Sequence, residues 1–164
     1  MRLRLRLPVL LAVTLPALGA CANGQMDAGP SWLRIAAEDA PATGNGSTCI
    51  GRPETPLCAV ETLLACFQRN RPDLCRLVDA GADQYAEVFT SPSGPARDLA
   101  YRVVASRPDP TSPADDWTLA IEQQEVDPGQ PPPPTPGQIS LFRLHRGPDG
   151  RWGVSGWDDP PEGN

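Results

Sequence analysis

The chain has 164 residues, and its 20 acidic and 14 basic side chains give a formal net charge of −6 at pH 7. This acidic balance argues against nucleic acid and anionic lipid headgroups as electrostatic partners. The length is that of a single domain. Every basic residue is an arginine, which, together with the many alanines, glycines and prolines, indicates codon bias in a GC-rich genome.

An export signal is predicted for residues 1–20. Three arginines among the first six residues precede an apolar stretch that is interrupted by two prolines. This pattern is typical of a signal peptide, and the stretch is shorter than the roughly 20 residues that span a bilayer. Its end, Leu18-Gly19-Ala20-Cys21, resembles the lipobox of bacterial lipoproteins, in which a leucine and two small residues precede the cysteine. The alternative is an ordinary secretory signal followed by a chance cysteine.

The lipobox resemblance implies cleavage before Cys21, a diacylglyceryl group on its thiol, and a further acyl chain such as palmitate on its amino group. Each buried methylene contributes about 0.8 kcal/mol, so two or three chains hold a soluble domain at a membrane. Ala22 follows the cysteine. By resemblance to Gram-negative lipoproteins, this implies the outer membrane, with the domain facing the periplasm. Cleavage would leave 11 arginines against 20 acidic residues, a net charge near −9.

Four cysteines remain besides the predicted lipidation site Cys21, and an even number in an oxidising compartment predicts two disulfides. Eight, seven and eight residues separate Cys49, Cys58, Cys66 and Cys75. These spacings lack the CxxC pairs of zinc sites and of redox motifs, so we predict structural cysteines, no metal site and no cofactor. The spacing favours the pairs Cys49–Cys58 and Cys66–Cys75, although four cysteines allow three pairings.

Residues 21–48 are rich in Gly, Ala, Pro, Ser, Asp and Asn, which is typical of a flexible tether between the lipid and the domain. One apolar patch, Trp32-Leu33-Arg34-Ile35, interrupts this composition. The patch is compatible with a short helix that docks on the domain.

The domain itself is predicted over residues 49–160, and it begins with a helical hairpin. Thr55-Pro56 is a favourable helix start, with Thr as the N-cap and Pro at the first helical position. Apolar residues then recur at helical spacing. Pro72 opens a second, shorter helix that Gly81 is placed to cap. Residues 83–89 are compatible with one further helical turn.

The second half of the domain is predicted to be an antiparallel meander. Period-two patterns and turn residues indicate strands at Tyr101–Ala105, Trp117–Val126, Ile139–Arg146 and Arg151–Trp157. A four-proline loop separates the second and third strands, and residues 161–164 form a polar tail. The fold class is therefore α+β, with a helical hairpin packed on a curved antiparallel sheet of three to four strands.

The hairpin Thr55–Ala80, together with the strand–turn–strand ending that contains Gly150-Arg-Trp-Gly-Val, resembles the nuclear transport factor 2-like superfamily of small lipoproteins. The resemblance covers roughly residues 54–158. It implies a cone-like α+β fold. Members of that superfamily bind small apolar ligands, dimerise, or catalyse isomerase and dehydratase steps.

Candidate catalytic residues are few, and we assign none. His145 lies on the strand face that carries Arg143, and it would stand opposite Trp152 if a four-residue turn set the register. A histidine is a common general base, but one beside an arginine near a turn is more ordinarily a surface residue. Glu122 and Glu125 are predicted on opposite strand faces, so they do not form a paired-carboxylate site.

Three functions remain open from the sequence. The first is a membrane-anchored envelope lipoprotein with a non-catalytic domain that binds a partner protein or a small apolar ligand. The second is a small-molecule-binding or isomerase-like enzyme that uses a cone-shaped pocket. The third is a structural envelope protein, recruited through the tether or the proline loop 131–134. Trp117, Trp152 and Trp157 are predicted to pack the helices against the sheet.

Overall fold

The computed structural model of the chain describes residues 31–37, 49–79 and 97–158. Cys21, Gly81, the helical turn predicted over 83–89 and the tail 161–164 lie outside these described residues. The elements are β1 (Leu33–Ile35), α1 (Pro56–Gln68), α2 (Pro72–Val78), β2 (Asp98–Pro108), β3 (Asp116–Val126), β4 (Gln138–Arg146) and β5 (Trp152–Asp158).

The helix α1 begins where the sequence predicts. The Thr55 side chain accepts a hydrogen bond from the backbone N–H of Cys58 at 3.2 Å, and Pro56 occupies the first turn, where no backbone donor is needed. The helix ends at Gln68, and Asn70 then adopts a positive φ of 51°. This reversal allows Pro72 to open α2 directly, so the two helices form the predicted hairpin.

The five strands form one antiparallel open sheet in the order β1-β2-β3-β4-β5. The α+β class is therefore confirmed, but within the described ranges the sheet has five strands and not three to four. The additional strand is β1, so the interpretation of Trp32–Ile35 as a short helix is wrong. Leu33 pairs with Tyr101, and Ile35 pairs with Leu99.

Alternation explains why this short segment is a strand. Ile35 is fully buried in the apolar core, whereas the guanidinium of Arg34 donates to Asp98 at 2.7 Å. Successive side chains of a strand point to opposite faces, which matches this pattern of one buried and one paired residue. Three residues are too few for such a period to stand out in the sequence.

The register between β4 and β5 differs from the predicted one. Arg146 pairs with Trp152 and His145 pairs with Gly153, so His145 does not stand opposite Trp152. The reason is that Arg151 belongs to the turn, where its carbonyl accepts from the N–H of Gly147 at 2.7 Å. The loop therefore has one residue more than the four-residue turn that the sequence suggests.

Both helices pack on one face of the sheet. The helix α1 contacts β1, β3, β4 and β5, and α2 contacts β5. A single cluster of buried apolar residues draws on both helices and all five strands. Among the described residues, neither helix is long and apolar enough to cross a membrane.

Two disulfides are present, as the even number of cysteines after Cys21 predicts, and each bridge lies near one end of α1. Cys49 is joined to Cys58, with 5.3 Å between their Cα atoms, and this bridge ties the preceding loop to the first turn of α1. Cys66 is joined to Cys75 over 5.4 Å and ties α1 to α2. These are the two pairs that the spacing favours.

Candidate functional site

Two clefts lie between α1 and the sheet in the part of the chain that the structure describes. One lies against the first turn of the helix, and the other lies against its second half. The helix has 13 residues and is about 20 Å long, whereas β2 and β3 have 11 residues each and extend about 36 Å.

The cleft at the first turn of α1, which we call the tryptophan cleft, has a volume of about 540 Å³. Its walls are almost wholly apolar, and none of the described residues that line it carries an ionisable side chain. The lining comprises Thr55, Pro56, Leu57, Val103, Ser106, Pro113, Ala114, Trp117, Leu119 and Trp152.

Hydrogen bonds fix both tryptophans of this cleft. Trp117 opens β3, and its indole Nε1–H donates to the carbonyl of Pro113 at 3.1 Å. The backbone N–H of Trp152 donates to the carbonyl of Pro53 at 2.8 Å, which ties β5 to the loop before α1. The Trp117 indole and the main chain of Trp152 are thus both attached to backbone carbonyls. The prediction that the tryptophans pack helices against the sheet is confirmed, since Trp117 and Trp157 pack on the core cluster that contains Trp152.

The second cleft lies against the second half of α1 and has a volume of about 440 Å³. Phe67 and Trp157 meet edge to face there, with 5.6 Å between ring centroids. Its lining is more polar, since Gln123, Gln138 and Glu125 contribute to it. Apolar ligands would therefore find the better match in the tryptophan cleft.

A buried polar group lies between the clefts. Glu61 is the only charged residue of α1, and it is 3% exposed. The hydroxyl of the fully buried Tyr101 donates to Oε1 of Glu61. The other carboxylate oxygen of Glu61, Oε2, lies 2.6 Å from the Sγ of Cys49. Sequence reasoning missed this pair. A lone acidic residue within an otherwise uncharged helix was the available signal.

The residues that the sequence offered for acid–base chemistry lie away from this interior. His145 is exposed, and its Nδ1 is 2.8 Å from Asp116 of the neighbouring strand. The hydrogen bond with His145, supported by one from Ser112, lowers the pKa of the Asp116 carboxyl. Arg143 forms an exposed ion pair with Asp158 at 2.6 Å. These residues form surface pairs and not a shared site.

Glu122 and Glu125 lie on opposite faces, as predicted. Glu125 is at the edge of the second cleft, whereas Glu122 is buried on the opposite face of the sheet. Glu122 Oε2 accepts from Arg102 at 2.6 Å, and its Oε1 accepts from the backbone N–H of Gly137 at 2.9 Å. The Gly137 N–H, followed by Arg102, lowers the pKa of Glu122 despite the opposing effect of burial.

The contacts of Glu122 also hold the end of the proline loop. An ideal Cβ on Gly137 would lie 2.5 Å from the carbonyl oxygen of Gln123, so only glycine allows this approach. At the other end of the loop, Arg34 donates to the carbonyl of Gln130. The loop is therefore attached at both ends, while most of its residues stay exposed.

Comparison of the chain with protein-family models, curated proteins and solved structures gives no match.

We predict that Glu122→Gln lowers the free energy of unfolding by on the order of 2 kcal/mol at pH 7, because charge-assisted hydrogen bonds from Arg102 and Gly137 are lost. The folded-state pKa of Glu122 lies below its ordinary value of 4.5. Its stabilising contribution is therefore present above about pH 4.5 and disappears as the pH falls through the lowered folded-state pKa. Urea denaturation at pH 7 and pH 3 should show the difference between the two chains narrowing at pH 3.

Glu125→Gln is the matched control for this prediction. Glu125 is exposed and stands 4.0 Å from Arg97, so its replacement should change stability little at either pH. A Glu122→Gln deficit that stays constant between pH 7 and pH 3 would contradict the account.

Proposed function

We propose that this chain is an envelope lipoprotein, held at a membrane by acyl chains on Cys21, whose domain binds an apolar ligand without catalysis. The lipobox-like sequence Leu18-Gly19-Ala20-Cys21 supports the anchor. Ala22 favours the outer membrane, with the domain facing the periplasm. The two disulfides fit such an oxidising compartment.

The composition of the tryptophan cleft carries the binding part of this proposal. A cleft of about 540 Å³ falls within the range of small-molecule pockets, which are concave and mainly apolar. General acid–base catalysis needs a titratable group within hydrogen-bond reach of the substrate. The described lining of this cleft is apolar and hydroxyl-bearing, which supports the binding of an apolar group. A small apolar molecule, or an apolar side chain of an envelope protein, would match it.

The proposal includes a cone-like fold related to the nuclear transport factor 2-like superfamily. Its support is the helical hairpin that covers one face of an antiparallel sheet. In such a cone, the tryptophan cleft would be the mouth through which ligand enters.

An isomerase-like enzyme is the second candidate, and Glu61 is the observation in its favour. A carboxylate buried beside a tyrosine hydroxyl is a pair that can move a proton. Glu61 and Tyr101, however, line neither the tryptophan cleft nor the second cleft. Their positions therefore favour the binding protein over the enzyme.

Replacing Cys21 tests the anchor. We predict that Cys21→Ser leaves the chain unprocessed or releases it from the membrane fraction, because the thiol that receives the diacylglyceryl group is missing. Membrane fractionation and intact mass spectrometry provide the measurement. The parent chain should begin at Cys21 and carry acyl chains, and a mature N-terminus at any other residue would contradict the anchor.

Filling the tryptophan cleft tests the binding. We predict that Ser106→Phe weakens the binding of a neutral fluorescent naphthylamine by about tenfold or more, equivalent to about 1.4 kcal/mol. Ser106 lines the cleft, so a phenyl ring there would occupy ligand volume. Fluorescence titration measures the dissociation constant.

Ala105→Phe adds the same ring to the opposite face of β2 and serves as the control. Ala105 pairs with Ala120, whereas Ser106 pairs with Leu119, which lines the cleft. Binding by the Ala105→Phe chain should equal that of the parent. If both substitutions weaken probe binding equally, or if neither weakens it, the tryptophan cleft is not the binding site.

A further inference from the structure

The two disulfides lie in different surroundings. Cys66 and Cys75 are both fully buried within the apolar core. Cys49 is half-buried in the loop before α1, and its partner Cys58 is 9% exposed. Only the Cys49–Cys58 bridge lies against a carboxylate, that of Glu61, among the residues that the structure describes.

The helix α1 brings two of these groups together. Cys58 and Glu61 are three residues apart, so both side chains lie on the same face of the helix. Cys49 reaches this face from the loop, and one potential ligand atom from each of the three residues falls within 4.8 Å of the others. The cysteine spacing predicts no metal site, but a carboxylate one helical turn after Cys58 adds a third potential ligand.

Other contacts hold this arrangement in place without the S–S bond. The N–H of Gly51 donates to Thr62 Oγ1 at 3.0 Å, and the N–H of Arg52 donates to the carbonyl of Cys49 at 2.9 Å. The Tyr101 hydroxyl holds Oε1 of Glu61 and leaves Oε2 directed at the sulfur. Hydrogen bonds that orient a ligating carboxylate favour metal binding.

We propose that the dithiol form of this protein binds one Zn²⁺ ion through the sulfurs of Cys49 and Cys58 and a carboxylate oxygen of Glu61. Two thiolates and one carboxylate suit Zn²⁺, and a water completes four-coordination on the half-exposed side of Cys49. Disulfide and metal site exclude each other, because bridged sulfurs cannot be thiolates. The site is therefore open only under reducing conditions.

The two chemical steps balance with a named reductant. A dithiol reductant is oxidised to its own disulfide, and its two electrons and two protons convert the Cys49–Cys58 bond into two thiols. Zn²⁺ then binds both sulfurs and displaces their two protons to solvent. Cys66–Cys75 stays oxidised under mild reduction, because both of its sulfurs are fully buried.

The test uses the full chain with Cys21→Ser, so that no other thiol competes. After mild reduction with a dithiol and its removal under argon, alkylation mass spectrometry identifies the reduced pair. Co²⁺, a spectroscopic probe for zinc sites, should bind one per chain with ultraviolet charge-transfer bands typical of two thiolate ligands. Zn²⁺ should displace it, and the oxidised chain should bind neither ion.

Matched variants separate this site from alternatives. Glu61→Gln should weaken Zn²⁺ binding about 10- to 100-fold while both thiols remain titratable, and circular dichroism should show the fold retained. Glu125→Gln, which changes an exposed carboxylate, should bind as the parent does. Cys49→Ser/Cys58→Ser should bind no metal.

Three outcomes would overturn the proposal. The first is a chain with Cys49 and Cys58 demonstrably reduced that binds no Co²⁺ or Zn²⁺. The second is binding that Glu61→Gln leaves unchanged. The third is metal that survives in Cys49→Ser/Cys58→Ser, which would assign the site to other residues.

Discussion

The burial of α1 is the constraint on which the rest of the structure depends. Nine consecutive residues, Cys58 to Cys66, are buried, so the helix is covered on every side and not along a single stripe. The sheet covers one side, α2 another, and the loop before the helix a third. Two disulfides fix its ends, and the one acidic side chain in the buried run accepts from Tyr101 across the core. A helix buried in this way leaves little freedom for the elements around it.

The clefts lie against the two ends of this helix. At its first turn the cleft is lined by Trp117 and Trp152. The indole N–H of Trp117 already donates to Pro113, and the backbone N–H of Trp152 already donates to Pro53. Groups that are held before a ligand arrives cost little entropy on binding. Among the described residues, the fold therefore supplies an apolar cleft whose walls are in place before a ligand binds.

Local signals in the sequence predicted the local parts of the structure. Thr55-Pro56 predicted the start of α1, alternation predicted β3 and β4, and the symmetric spacing of cysteines favoured the observed pairs. Long-range pairings were not accessible in this way. The strand β1 has only three residues and needs β2, 63 or more positions away, as its template. The Glu61–Tyr101 bond likewise joins residues 40 positions apart; the lone acidic residue of α1 marks Glu61, but no local pattern identifies Tyr101 as its partner.

A crystal structure with a bromine-labelled apolar naphthyl probe tests the central claim most directly, because anomalous scattering locates the bromine without reference to any fold. The account predicts a single peak between Trp117 and Trp152, with the core around Glu61 and Tyr101 unchanged. A peak beside the Glu61 carboxylate, inside an opened helix–sheet interior, would contradict the account and favour an enzyme with a cone-shaped pocket.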